Sequence, residues 1–546
     1  MTFGIVYVAI ILVLMLVALM REALRPGLVL FTAVVLLLCA GIINPEEALK
    51  GFSNKGMITV ALLYLVSEGV RKSGLLERIV FRMLPTKNVT VTKAGLRFYP
   101  IVSFISAFFN NTPVVVIFAP MIKNWARKMK LPPTKFLIPL SYATVIGGIC
   151  TLIGTTTNLV LHGMLLQEHK DEMTAFEESA GQVKGILLQN GVDGMHMFEL
   201  TKVGIFIALA GLVYLIFFSR YLLPDEREAE DESEDGNNSI APGMTRFEVM
   251  LSTRFPGLGK TLHEFDFYRH YGAHVRAIRR GGNLLEGDYM NAPLGHEDTL
   301  IIDADESFMK TWGDSRVFWM ISRVGDYEPP MGTKKRWAAL ALLVMMIIGA
   351  TVGELPIVKD NFHFLKLDMF FFACVTTIIM AWTRMFNPRK YTKFFSWDVL
   401  ITIACAFAIS AAMTKSGFAD FVAGYIISLT DAVGGSAYGV YIILAALFLI
   451  TNIFTELITN NAAAALAFPL ALAVSEKLGV NPMPFVVCVC FAASSSFSTP
   501  IGYQTNLIVQ GVGGYKFKDF ARVGIPMNII VFLVSVLLIP LFYNLV

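Results

Sequence analysis

Uncharged, oxygen-bearing side chains recur at matched places in this 546-residue chain, each time inside apolar sequence. One cluster holds Ser106, Asn110, Asn111 and Thr112; the other holds Thr455, Thr459, Asn460 and Asn461. Asn111 lies nine residues before Pro120 and Asn460 nine before Pro469, which sets the register between them. The run Ile153-Gly154-Thr155-Thr156-Thr157-Asn158-Leu159 recurs as Ile501-Gly502-Tyr503-Gln504-Thr505-Asn506-Leu507, with Gly163 and Gly511 following at the same spacing. Lys72-Ser73-Gly74 likewise matches Lys415-Ser416-Gly417. The offsets are 349, 348 and 343, so two halves align almost without gaps. Hydroxyls, amide oxygens and freed carbonyls are hard ligands suited to Na⁺. Helix N-termini add N–H groups and a positive dipole end suited to an anion. Two such clusters could hold two Na⁺ and one anion. Asn and Thr in membrane helices usually bind helices together; duplication singles out Asn111 and Asn460. Thr157, Asn158, Thr505 and Asn506 serve either as ligands or as their support.

The elements that place these residues must cross a membrane. Hydrophobic residues make up 55% of the chain and charged residues only 16%, against about 25% charged in a soluble domain. Net charge is +3, too balanced to argue for nucleic acid. The six cysteines all lie in apolar stretches with no Cys-x-x-Cys pair and read as buried hydrophobes. Apolar stretches long enough to span occur at 4–20, 27–43, 56–70, 136–165, 202–219, 336–353, 365–384, 397–413, 481–511 and 524–543. Two more, 98–122 and 438–475, carry polar centres. Basic residues flank 98–122 on both sides: Arg71, Lys72, Arg78, Arg82, Lys87, Lys93 and Arg97 before it, and Lys123, Arg127, Lys128, Lys130 and Lys135 after it. Both flanks are therefore expected in the cytoplasm, and the stretch as a re-entrant helical hairpin turning at Asn110-Asn111-Thr112-Pro113. Segment 414–437 has Lys415, Asp420 and Asp431, net −1, where its partner 71–97 is net +6. The halves are thus expected to be inverted, as in secondary transporters whose broken helices meet near the midplane. Non-helical backbone at that depth survives only against protein or a cavity.

Two acids fall within apolar segments, Glu68 and Glu456. Glu456 could carry a proton or set local charge; otherwise it faces water. His162 is read as packing. No nucleophile–base pair or metal-spaced ligand set appears, so an enzyme is not expected.

Residues 222–335 break the apolar pattern. An acidic linker, Asp225 to Asp235, is followed by α/β sequence: strands at 246–252, 273–280 and 299–303, and a capping box from Thr261 to Glu264. Gly257-Leu258-Gly259-Lys260 is too short for a nucleotide P-loop. Arg276, Arg279 and Arg280 could meet a phosphate or form a solvated strand face. About 70 residues make a marginal core alone, so dimerisation is expected.

The runs FFNNTPVVVIFAP, IGTTTNL, TNNAAAALAFP and TPIGYQTNL resemble the divalent anion/sodium symporters, within the ion transporter superfamily that includes arsenite pumps and citrate carriers. The insert resembles the TrkA-C (RCK C-terminal) domain of potassium-conductance regulators, found in a branch associated with sulfate uptake. The resemblance implies a first sodium site at Ser106, Asn110, Asn111 and Gly154. It implies a second at Thr455, Ile458 (through its carbonyl), Asn460 and Gly502. Substrate would contact Asn110, Asn111, Thr112, Thr459, Asn460 and Asn461 from opposite sides, and Thr157 and Thr505 are expected to bind it as well. The dicarboxylate branch carries Thr-Pro-Pro after the break; this chain has Thr155-Thr156-Thr157 and Tyr503-Gln504-Thr505, which leaves room for sulfate.

The expected fold is all-α and polytopic: two inverted repeats of about five transmembrane helices, each with a re-entrant hairpin, plus a small cytoplasmic α/β insert. Its parts are 1–221 and 335–546 for the membrane repeats, 222–243 for the acidic linker, 244–315 for the TrkA-C-like domain and 316–334 for a second linker. The expected function is sodium-coupled symport of a divalent anion, sulfate first, by elevator-type alternating access. The expected state is a homodimer in the plasma (inner) membrane, with a small-molecule or nucleotide regulator at the insert. Proton-coupled carriage of di- or tricarboxylates, antiport on the same scaffold, and a gated channel are the alternatives.

Overall fold

A computed structural model describes residues 2–543, apart from 22–23, 86–88, 180–183, 226–243, 281–282, 286–288, 297, 306, 314, 324–331, 356–357, 359–365, 387 and 433–438. Most of the acidic linker, Lys87 and Gly281-Gly282 lie outside the described residues. The protein is mostly helical with one small sheet. Five described helices are long and apolar enough to cross a membrane: Phe3–Met20, Thr333–Gly353, Trp397–Lys415, Gly439–Leu457 and Phe517–Phe542. Others, such as Pro26–Cys39, Thr201–Phe217 and Met369–Trp382, are apolar but shorter.

Four apolar stretches divide where the polar clusters fall. Stretch 98–122 divides into helices Val91–Ser106 and Asn111–Lys128, and 438–475 into Gly439–Leu457 and Asn460–Leu478. Stretch 136–165 divides into Leu137–Gly148 and Thr156–Glu178, and 481–511 into Met483–Ser494 and Gln504–Gly513. The apolar runs alone would have continued as helix; the polar clusters interrupt them and supply new N-termini. The Lys-Ser-Gly copies end helices by one mechanism. Gly74 (φ +65°) and Gly417 (φ +75°) take the left-handed conformation that lets the chain leave the helix. The hydroxyls of Ser73 and Ser416 bond to the carbonyls of Val70 and Met413 and accept from the N–H of Leu75 and Phe418.

The insert carries a five-stranded sheet: β1 (Met244–Leu251), β2 (Ala273–Arg280), β3 (Asn283–Leu284), β4 (Thr299–Asp305) and β5 (Phe318–Arg323). Strand order is β3-β2-β4-β1-β5, and β1 pairs antiparallel with both β4 and β5. The fifth strand falls in the stretch read from sequence as the second linker; it covers the edge β1 would otherwise expose. Aromatic residues dominate this domain's own core, among them Phe247, Phe255, Phe265, Phe267, Tyr271 and Phe318. Thr261 and Glu264 form the reciprocal capping box.

The three strand arginines are each paired with an acid, and Arg276 and Arg280 are exposed, as a solvated strand face. Arg276 binds Asp303, Arg279 binds Glu248, and Arg280 grips Asp298. Glu248 also binds Lys123 of the membrane part at 3.2 Å. Burial pushes the Glu248 carboxyl up, but Lys123 and Arg279 outweigh it and hold it down at about 2. Met250 and Met320 pack into the membrane core, and the Arg25 guanidinium donates to the Thr253 carbonyl. The sheet is thus seated on the helical part through ionic, apolar and backbone contacts.

Candidate functional site

Each polar cluster is built from a tip, the turn between two hairpin helices, and a break, the turn inside a divided helix. In the first tip the Asn111 side-chain oxygen accepts from Ser106 Oγ at 2.6 Å. In the second, Asn460 Oδ1 accepts from Thr455 Oγ1 at 2.8 Å. In both the hydroxyl sits five residues before the asparagine and ties the two hairpin legs together. In the breaks, Asn158 Nδ2 donates to the carbonyls of Gly148 and Thr151, ten and seven residues earlier. Asn506 Nδ2 donates to Ser496 and Thr499 at the same spacings. Asn158 and Asn506 are fully buried and each closes its own break, so both support the turn.

The tips and breaks then cross between halves. Asn111 Nδ2 donates to the Tyr503 hydroxyl at 3.0 Å, and Thr112 Oγ1 lies 3.5 Å from Gln504 Oε1. In return Asn461 Oδ1 accepts from Thr156 at 3.1 Å and Thr157 at 3.3 Å. Thr112–Gln504 and Asn461–Thr156 are the same contact under the sequence repeat. Four helix N-termini therefore meet: those at Asn111, Thr156, Asn460 and Gln504.

Backbone crowding at the breaks requires glycine. A Cβ on Gly154 would lie 2.4 Å from the Gly148 carbonyl oxygen and 2.9 Å from that of Ala107. A Cβ on Gly502 would lie 1.9 Å from Ser496 Oγ and 2.7 Å from the Thr455 carbonyl oxygen. Each glycine thus opens a cradle with oxygens directed into it. Several buried polar atoms around the second cluster have no partner among the described residues: Thr459 Oγ1, Asn460 Nδ2, Ser494 Oγ and Ser496 Oγ. Oxygens in this setting fit a small hard cation; the N–H groups and helix starts fit an anion.

The structure brings together Ser106, Asn111, Thr112, Gly154, Thr157, Thr455, Asn460, Asn461 and Gly502 from the sequence reading. Asn110 and Thr459 occupy the N-cap positions of the two tip helices without capping them by side chain. Ile458 is buried in the second tip. Thr505 turns away from both tips toward Ser141, whose hydroxyl lies 2.9 Å from Thr505 Oγ1 and 2.8 Å from Asn506 Oδ1. Ser141, Thr156, Tyr503 and Ser496 were missed. Thr156 and Tyr503 sat inside the quoted motifs, but no repeat signal marked Ser141, whose counterpart is Val489.

The two acids of the apolar segments are half-buried and both engaged. Glu68 is bound by Arg71. Glu456 accepts from the N–H groups of Phe497, Ser498 and Thr499 and from Asn528 Nδ2. His162 accepts from the Met195 N–H, which agrees with packing. Beside Asn110 and Thr156 lies a cavity of about 20 Å³, also lined by Tyr64, Phe108 and Leu159; that is room for one water and too little for a tetrahedral oxyanion. Leu159 also lines a separate cavity of about 860 Å³ bordered by Lys55, His162, His169 and Asp368.

Comparison with known proteins agrees with this architecture. The chain is 28% identical to "Uncharacterized transporter sll0640" of Synechocystis, over 93% of this chain and 92% of that one. It is 22% or 23% identical to two others: "Sodium/sulfate cotransporter 1" of Chlamydomonas reinhardtii, over 90% and 84% of the two chains, and "Sodium-dependent dicarboxylate transporter SdcS" of Staphylococcus saprophyticus, over 92% and 80%. The family model described as CitMHS, citrate transporter, matches residues 14–474 and 361–545. The chain is an integral membrane protein and belongs to the citrate transporter family, a family of transporters and not of enzymes.

Proposed function

We propose that this protein is a sodium-coupled symporter of a divalent anion, sulfate first, working by elevator-type alternating access. The observation that carries the reading is the crossed bonding of tips and breaks. Each half donates the first turn of a tip helix to the other half's break, so four helix starts face one point. Around that point the matched polar residues are uncharged, so anion charge must be met by N–H groups, helix dipoles and bound cations. The reading assigns one Na⁺ to the Gly154 cradle with Ser106, Asn110 and Asn111. It assigns the second to the Gly502 cradle with Thr455, Ile458 and Asn460. Substrate lies between them, against Thr112, Thr157, Thr459 and Asn461, while Thr505 faces Ser141 instead. Sodium coupling and sulfate are supported by the names of relatives, one of which carries dicarboxylates instead.

In the same reading the two halves are inverted repeats (1–221 and 335–546) in the plasma (inner) membrane. The insert is cytoplasmic and of TrkA-C type, the protein is a homodimer, and a small regulator binds the insert. Labelled sulfate uptake into proteoliposomes, with and without an inward sodium gradient, tests the core of it. Uptake is expected only with sodium. Sodium-independent sulfate uptake sinks the coupling, and sodium-driven uptake of succinate but not sulfate sinks the substrate.

A further inference from the structure

Glu456 sits one residue past Thr455, whose carbonyl lines the Gly502 cradle. Its Oε1 accepts from Phe497 N at 3.0 Å, Ser498 N at 2.7 Å and Asn528 Nδ2 at 2.7 Å; its Oε2 accepts from Thr499 N at 2.9 Å. The Thr499 hydroxyl donates to the Glu456 carbonyl and accepts from Gly502 N. One side chain therefore holds the whole unwound run from 497 to 499 and, through Thr499, reaches the cradle glycine. Three of these four donors converge on Oε1 and one on Oε2. All four donors are neutral, and among the described residues no cationic side chain is bonded to this carboxylate.

The first half lacks this device. The residue matching Glu456 is Ala107. The Thr151 hydroxyl still donates to the Ala107 carbonyl, as Thr499 does to Glu456. But the N–H groups of Ile149 and Cys150, which match Phe497 and Ser498, bond backward to the carbonyls of Val145 and Gly147. That turn is an ordinary helix end, with no carboxylate bonded to it among the described residues.

We propose that Glu456 is a positioning residue that makes the Gly502 cradle the tighter of the two cation sites. It preforms the 497–499 turn and places a fixed negative charge beside the cradle, whereas the Gly154 cradle has neither. The inference rests on the sodium-coupled reading above. An uncompensated charge within a residue or two of a bound cation, at an effective dielectric of about 20, shifts affinity by roughly one to two powers of ten.

The test is sodium-dependent thermal stabilisation of the purified full-length protein, with choline replacing sodium, read beside sulfate uptake. Wild type is expected to be stabilised by sodium in a saturable way. Glu456→Gln is expected to raise the half-saturating sodium concentration about tenfold or more, with the pH profile of uptake unchanged. Asn528→Ala keeps the charge and removes one donor; a rise of two- to threefold is expected, and this variant carries the test if Glu456→Gln does not fold. Glu456→Asp is expected to fall between them. An unchanged sodium half-saturation in Glu456→Gln, or in Asn528→Ala where that stands alone, overturns the proposal. So does a pH dependence of uptake that vanishes in Glu456→Gln, since the carboxyl would then carry protons. A wild type that sodium does not stabilise removes the coupling reading itself, and with it this inference.

Discussion

The two tips share one internal bond and differ in what is left over. In both, the asparagine oxygen accepts from a hydroxyl five residues back. Asn111 then spends its amide N–H on Tyr503, while the amide nitrogen of Asn460 is buried without a partner among the described residues. The cause is one position in the breaks. Tyr503 is long enough to reach across to Asn111. Its counterpart Thr155 is short: it caps its own helix at the Thr157 N–H and meets Tyr503, but does not reach Asn460. A second difference follows the same logic. Asn506 Oδ1 is met by Ser141, but Val489 stands where a matching serine would be, and Asn158 Oδ1 has no partner. A duplicated motif thus preserves the bonds made within each half. The bonds made between halves depend on side-chain length at unmatched positions. The first tip is latched; the second presents free valences to the point where the four helices meet.

The sharpest test of that difference separates stability from transport. Asn111→Ala removes the partner of Ser106 and one of the two partners of Tyr503, and leaves the buried Ser106 hydroxyl wanting, at about 1–3 kcal/mol. Asn460→Ala strips only Thr455, which keeps the Ala493 carbonyl as acceptor. Both are expected to cut uptake at least ~100-fold, the size of an interaction worth about 2.7 kcal/mol. Only Asn111→Ala is expected to lower the melting temperature by several degrees. Equal melting temperatures would show that the latch is no stronger than the open tip.

Next in size are the cradles. Gly154→Ala drives a methyl into backbone on every side, the Gly148 carbonyl and Cα and the Ala107 carbonyl. Gly502→Ala meets first a serine hydroxyl that can rotate away, and only then the Thr455 carbonyl. Overpacking of this kind costs about 1–3 kcal/mol. Gly154→Ala belongs at the top of that range and Gly502→Ala below it, measured as loss of folded yield and melting temperature. The reverse order would mean that the second break is the stiffer one.

Tyr503→Phe removes the latch itself. It deletes the part-buried bond to Asn111, about 1 kcal/mol, together with the hydroxyl's contact with Thr155, and leaves the Asn111 amide as open as that of Asn460. A modest drop in melting temperature is expected with substrate affinity retained; a collapse of affinity would place the hydroxyl against substrate.

What could be read beforehand follows the same division. The tips and breaks were visible in sequence because Asn111, Gly154, Asn460 and Gly502 recur at nearly constant offsets, and the bonds within each half follow from that spacing. The strands at 246–252, 273–280 and 299–303 and the Thr261 cap were legible from local pattern. Partners supplied from afar were not: Tyr503 for Asn111, Ser141 for Asn506, Asn528 for Glu456. The solvated face of the β2 arginines was legible at Arg276 and Arg280, but their acid partners were not, because Asp298, Asp303 and Glu248 come from other strands or the turn before them. Strand β5 was passed over because its sequence, Phe318–Arg323, lies between charged stretches and acquires its partner only in the folded sheet.

The smallest effect lies in the outer pair of crossed contacts, where the halves agree most in residue position and least in geometry. Thr112 and Gln504 stand at 3.5 Å, the limit of a hydrogen bond, with Gln504 exposed to solvent. Thr156 and Asn461 stand at 3.1 Å, and Thr157 adds a second donor to the same oxygen. Water can replace the first contact at little cost; the second is sheltered and bifurcated. A double-mutant cycle on Thr112→Val and Gln504→Ala should give a coupling within about 0.3 kcal/mol of zero, and one on Thr156→Val and Asn461→Ala about 0.5–1 kcal/mol. Both are read from melting temperatures in detergent. If the cycles instead match, the two halves are closer to symmetric than Tyr503 alone would allow. The open amide at Asn460 would then need a cause other than the short reach of Thr155.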